Sequence, residues 1–174
     1  RLRVALGRGH WGELAPDATR FHELLATGEP ALLGTCHVGH SDLTGFLLGR
    51  QEHRRVFMVR QRVGNSHDTE VLGARFAKWV TFIWVNDPAN LLFGLKDAIA
   101  AGGSVAMKCD RLEFSAKSEA FQFLGTKQLF PFTIYHLAPI FQRPVVLCVG
   151  LPAGPGRSTV HSSPIFRPDR SGKA

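Results

Sequence analysis

The apolar positions of this chain fall into short dense runs, separated by stretches in which they recur every three or four residues. That is the pattern of strands alternating with amphipathic helices. "PALLGTCH" (30–37), "TFIWVN" (81–86), "SVAMKCD" (104–110) and "EAFQFLG" (119–125) read as strands, and "RPVVLCVGLP" (143–152) as a very apolar central one. "RRVFMVR" (54–60) alternates apolar and basic residues, as a half-exposed strand does, and "STVHSSPIF" (158–166) alternates like an edge strand. Between them, "DATRFHELLATG" (17–28) predicts a helix capped by Asp17 and stopped at Gly28, and a short helix is expected over about 42–49. In "SHDTEVLGARFAKW" (66–79), Val71, Leu72, Phe76 and Trp79 share one side of a helix. "DPANLLFGLKDAIAAGG" (87–103) is the clearest helix, with Asp87 as cap, Pro88 in the first turn and Gly102 and Gly103 at its end. "FPFTIYHLAPIF" (130–141) contains a further one.

Strands separated by helices of this length predict an α/β fold with a mixed, largely parallel central sheet flanked by helices. In such sheets ligands collect at the carboxyl ends of the strands. His37 and Asp110 both fall at predicted strand ends. No repeat, linker or low-complexity block divides the 174 residues, so residues 1–174 read as a single domain with a sizeable core. The chain opens on Arg1 and closes on "RSGKA", and it is read as a piece of something longer.

Charge narrows the partners. Twenty-one Lys and Arg against fourteen Asp and Glu leave a net charge of +7, which favours an anionic partner. The excess is local: Arg50, Arg54, Arg55, Arg60 and Arg62 face one acid, Glu52, within residues 49–62. This cluster is either a solvated basic face or a docking patch. No nucleic-acid motif accompanies it, and Phe57 is the one aromatic residue interleaved with it, so nucleic acid is not the expected partner. Cys36, Cys109 and Cys148 are an odd count without a CxxC pair, each in an apolar run, and read as buried free thiols. The longest apolar candidate, residues 129–141, is too short to span a bilayer and holds two prolines.

The chemistry concentrates in "LLGTCHVGHSDLTGFLLG" (32–49), where a strand gives way to a helix. His37 and Asp42 are five positions apart and cannot stack on one helix, but a turn at Gly39 can bring them together. An ionised aspartate near a helix start could hold one imidazole nitrogen and leave the other to take a proton. Three other readings stay open. Ser41 or Asp42 fits a simple helix cap; His37, His40 and Asp42 are metal-ligand types, which admits a metal-dependent hydrolase; and a basic lipid- or nucleic-acid-binding module without catalysis fits the charge. Ser41 lacks the GxSxG elbow of a serine hydrolase.

Three later blocks bear on the choice. "GGSVAMKCDR" (102–111), "FQFLGTKQLFPFTIYHLAPIF" (121–141) and "RPVVLCVGLP" follow the His-x4-Asp stretch in that order. Together they resemble the lysophospholipid acyltransferase-like superfamily, closest to the lipid A late acyltransferases and phosphatidylinositol mannoside acyltransferases, over residues 30–152. The resemblance implies a glycerolipid acyltransferase-like sandwich. It implies transfer of a fatty acyl group from an acyl carrier protein or coenzyme A thioester to a hydroxyl of a lipid or glycolipid. The setting it implies is the cytoplasmic face of a bacterial inner membrane, against an anionic membrane surface.

Carried over by position, His37 becomes the general base and Asp42 its orienting carboxylate, while Asp110 and Arg111 match the family's Asp-Arg block near the acceptor. Arg75 sits where a family arginine follows the histidine block, and it also falls on the apolar side of its predicted helix. Lys108 and His40 are weaker candidates. No cofactor beyond the thioester co-substrate, and no metal, is implied. The chain departs from the family in reading "FTIYHLAP" after Phe130-Pro131, where a Gly-Pro step is usual, and in lacking the Pro-Glu-Gly block of the glycerol-phosphate branch. The family's N-terminal hydrophobic anchor and its C-terminal part have no counterpart here.

Overall fold

A computed structural model of the chain describes residues 13–41, 55–61, 71, 73–74, 76–86, 88–112, 115, 117–155 and 157–169. The helix expected over 42–49 and much of that expected over 66–79 lie outside them.

The described elements alternate as the apolar pattern predicts. They are β1 (Glu13–Leu14), a 3-10 turn (Pro16–Ala18), α1 (Thr19–Thr27), β2 (Leu32–Thr35), β3 (Val56–Arg60) and β4 (Val80–Trp84). Then come α2 (Pro88–Ala100), β5 (Ser104–Lys108), β6 (Ser118–Phe123), β7 (Thr126–Pro131), α3 (Thr133–Phe141), β8 (Val145–Pro152) and β9 (Ser158–Ser162). Seven strands form one sheet in the order β1-β9-β8-β2-β5-β3-β4. The pairs β8–β2, β2–β5, β5–β3 and β3–β4 are all parallel, and β9 alone runs antiparallel to its neighbour β8. The protein is therefore a mixed α/β molecule around a largely parallel sheet, and the five parallel strands deliver their carboxyl ends to one edge.

Side chains of opposite parity on the same strands feed two apolar clusters. Leu33, Val56, Met58, Ala106 and Val146 pack with Phe21, Leu24 and Leu25 of α1. Leu32, Ile83, Val105 and Val145 pack with Leu95 and Ala98 of α2 and with Ile134 and Ala138 of α3. A parallel strand buried on both faces loses the in–out alternation of a half-exposed one. This corrects the half-exposed reading of residues 54–60: β3 lies between β5 and β4, with Val56 and Met58 in one cluster and Phe57 and Val59 against the other.

Two further expectations are corrected. Asp17 does not cap α1, because the 3-10 turn precedes it and Ala18 occupies the cap position; Asp17 instead meets His161 Nδ1 at 3.1 Å. β9 is not the edge strand, since β1 covers its outer side through Glu13↔Thr159 and Leu14↔Val160. β7 is an element the apolar pattern does not reveal. It pairs with β6 in a separate two-stranded antiparallel sheet, from Ser118↔Pro131 at the base to Phe123↔Thr126 at the tip.

Phe21 is fully buried between α1 and the sheet. Phe21→Ala is expected to cost about 3–5 kcal/mol, from lost transfer energy and the cavity left behind. Urea denaturation followed by circular dichroism measures it as a lowered midpoint at unchanged slope.

Candidate active site

The parallel register of β2 against β5 builds the site. Leu32 faces Val105, Gly34 faces Met107 and Thr35 faces Lys108. Cys109 N–H continues the ladder by donating to the Thr35 carbonyl at 2.7 Å. One step further, where both strands end, His37 comes opposite Asp110. The two residues meet twice: the His37 backbone N–H donates to Asp110 Oδ2 at 2.6 Å, and His37 Nδ1 lies 2.7 Å from Asp110 Oδ1.

A carboxylate bound to the backbone and the ring of one residue fixes both the turn and the imidazole orientation. Partial burial pushes the Asp110 carboxyl upward, but the hydrogen bonds from the His37 N–H and ring and the attraction of the His37 charge outweigh it. The net result is a carboxyl held below its ordinary value, ionised at neutral pH. With Asp110 accepting from Nδ1–H, the lone pair of the neutral ring resides on Nε2.

The turn after His37 is pinned from the other side. Gly39 has φ +59°, and a Cβ there would meet the Gly150 carbonyl oxygen of β8 at 2.2 Å. Only glycine fits that contact and that backbone conformation. The next N–H, of His40, donates to the same Gly150 oxygen at 2.7 Å, and His40 Nδ1 pairs with Ser158 Oγ of β9. His40 thus turns to β8 and β9, while the His37 ring turns to β5. Ser41, buried, accepts from Lys108 Nζ at 3.0 Å.

His37 stands at the mouth of a cavity of about 360 Å³, between the ends of β3 and β5 and the helices α2 and α3. Leu91, Leu95, Met107, Ile134 and Leu137 line it with hydrocarbon. Arg60, Lys108 and Arg111 also contribute to its lining, with the Lys108 ammonium bonded to Ser41 and the Arg60 guanidinium over the Phe82 ring. Cys109 also lines the cavity, but burial pushes that thiol up to about 12, and Cys36 beside His37 is raised too, first by burial and then by Asp110. Both shifts favour the protonated thiol. Cys148 is fully buried; Cys36 and Cys109 are only partly so, unlike the uniformly buried thiols expected.

Of the residues singled out in the sequence, the structure brings together His37, Asp110, Arg111 and Lys108. Asp42 and Arg75 lie outside the described residues. The sequence placed both residues at strand ends but not the direct partnership of Asp110 with His37, which the register of β2 against β5 creates. Arg60, read only as one of a basic cluster, lines the cavity and stacks over the Phe82 ring at 5.7 Å. Among the described residues no three His, Cys, Asp or Glu side chains converge on a common point, and no helix is long and apolar enough to cross a membrane. The chain matches no protein-family model and no curated protein sequence.

Two outcomes follow from this geometry. Gly39→Ala is expected to destabilise the fold by more than about 2 kcal/mol, combining left-handed strain with displacement of β8, read from thermal melts. Because the folded Asp110 carboxyl lies below its unfolded value near 3.8, its contribution is complete above that value and is lost as pH falls through the folded one. Asp110→Asn should flatten this part of the acid limb in stability measured against pH.

Proposed function

We propose that this protein is an O-acyltransferase of the glycerolipid acyltransferase-like sandwich type, moving a fatty acyl group from a thioester to a lipid or glycolipid hydroxyl. The observation that carries the reading is an imidazole held by a carboxylate at the mouth of a hydrocarbon-lined cavity. An acyl chain suits the apolar wall. The anionic phosphopantetheine of an acyl carrier protein or coenzyme A suits Arg111 on the same lining and the net charge of +7.

In this mechanism His37 Nε2 takes the proton of the acceptor hydroxyl as its oxygen attacks the thioester carbonyl carbon. Asp110 keeps the ring in the productive tautomer and stabilises the imidazolium that forms. The tetrahedral oxyanion carries negative charge beside cationic side chains, which favours it over the neutral ground state. Its collapse breaks the carbon–sulfur bond, and the departing thiolate receives the proton from His37. No acyl-enzyme is required. Asp42 and Arg75 remain proposed contributors through the resemblance alone: Asp42 as a second carboxylate near the turn and Arg75 as a substrate contact.

His37→Ala should lower transfer about 10²–10⁴-fold while the circular dichroism spectrum stays that of the wild type. Thiol release from an acyl thioester, with and without a lipid acceptor, measures it; undiminished transfer by the variant would refute the reading. Asp110→Asn is expected to lose most of the activity, since Asp110 accepts the hydrogen bond that orients the imidazole. Equal activity with and without a chelator separates this reading from a metal-dependent hydrolase using His37, His40 and Asp42.

A further inference from the structure

The β6–β7 hairpin has no counterpart in the main sheet: among the described residues its two strands pair only with each other. Both strands are exposed along most of their length. Even so, the hairpin carries Phe121, Phe123, Leu124 and Leu129 as exposed large apolar side chains. Phe121 and Phe123 lean on Phe130 edge to face, at 6.1 and 5.3 Å, which fixes an aromatic row on one side without covering it.

The tip is the telling position. Leu124 and Gly125 form a two-residue turn in which both have positive φ, +49° and +81°. Such a turn strongly favours Asn, Asp or Gly at its first position, because any other side chain is strained there. Leu124 accepts that strain while 88 % exposed, so the described residues cover little of its side chain.

Charge selects the partner. Lys117 at the base and Lys127 on β7 outnumber the one acid of the hairpin, Glu119, within a chain of net charge +7. The surface also reaches the site: Phe123, Leu124, Leu129 and Phe130, with Thr126 and Gln128, line a shallow groove that Asp110 lines as well. We infer that the hairpin inserts its tip into the interface of an anionic lipid bilayer, so that the groove leads from the lipid surface to the His37–Asp110 pair. Apolar residues at the acyl boundary with lysines at the headgroups are the pattern of an interfacial anchor. The location beside the site gives this its meaning under the acyltransferase reading, on which it rests, but insertion itself is measured separately.

The test is co-sedimentation of the full chain with phosphatidylglycerol–phosphatidylcholine vesicles and with pure phosphatidylcholine vesicles. The wild type is expected to bind the anionic vesicles more tightly. Leu124→Asn, which relieves the turn, should melt at or above the wild-type temperature and bind about ten- to hundredfold more weakly, whereas Leu124→Phe should retain binding. Wild-type binding by Leu124→Asn overturns the inference. So does a lower melting temperature for that variant, or a lipid-free dimer that it disperses, which would assign the hairpin to a second copy. Transfer from a short acyl thioester to a soluble alcohol is measured on the same wild-type protein. Absence of that transfer, with vesicle binding as expected, would remove the acyltransferase reading and leave the anchor standing.

Discussion

Everything at the candidate site depends on the register of two parallel strands. A shift of one residue between β2 and β5 would carry Asp110 away from His37 and reverse the faces of Leu32, Leu33, Val105 and Ala106 in the two clusters. The cores therefore support the site: a slip would exchange side chains of different size between the two tightly packed faces of the sheet. Ser104 adds a polar lock at the other end of the pair, where its buried hydroxyl accepts the Ala31 N–H at 3.2 Å. An interaction between two partly exposed side chains is thus held by packing that neither of them makes.

The same turn serves two masters. Its first residue is bound by Asp110 just past β5, and its fourth, His40, is bound to β8 and β9 through the Gly150 carbonyl and Ser158. Three strands from distant parts of the chain converge on four residues. This accounts for the density of polar groups between two apolar runs: His40 and Ser41 hold the loop in position, and His37 is the ring left at the cavity mouth.

What was legible in the sequence was what local pattern carries. The alternation of strands and helices, the largely parallel character of the sheet and the placement of His37 and Asp110 at strand ends all follow from periodicity and turn residues. The His37–Asp110 contact did not, because it joins residues 73 apart through a register that no local pattern states. β7 escaped for another reason. The hairpin covers no core, so burial imposes no alternation on its strands, and Pro131 and Phe132 blur the boundary with α3. Asp17 misled because an aspartate before an apolar-periodic run is a good cap signal, whereas Pro16 starts a tighter turn one step earlier.

The strand order has a consequence for how the molecule comes into being. β2 sits between β5 and β8, and neither neighbour is next to it in the chain. A chain emerging from the ribosome would expose the bare edges of β2 until β5 arrives, and its second edge until the C-terminal third is made. A sheet whose middle strand is synthesised early and covered late cannot fold piecewise from its N-terminus. Its apolar strands must be kept apart from other chains until β8 closes the gap, which makes late folding, and a need for protection before it, a built-in cost of this topology.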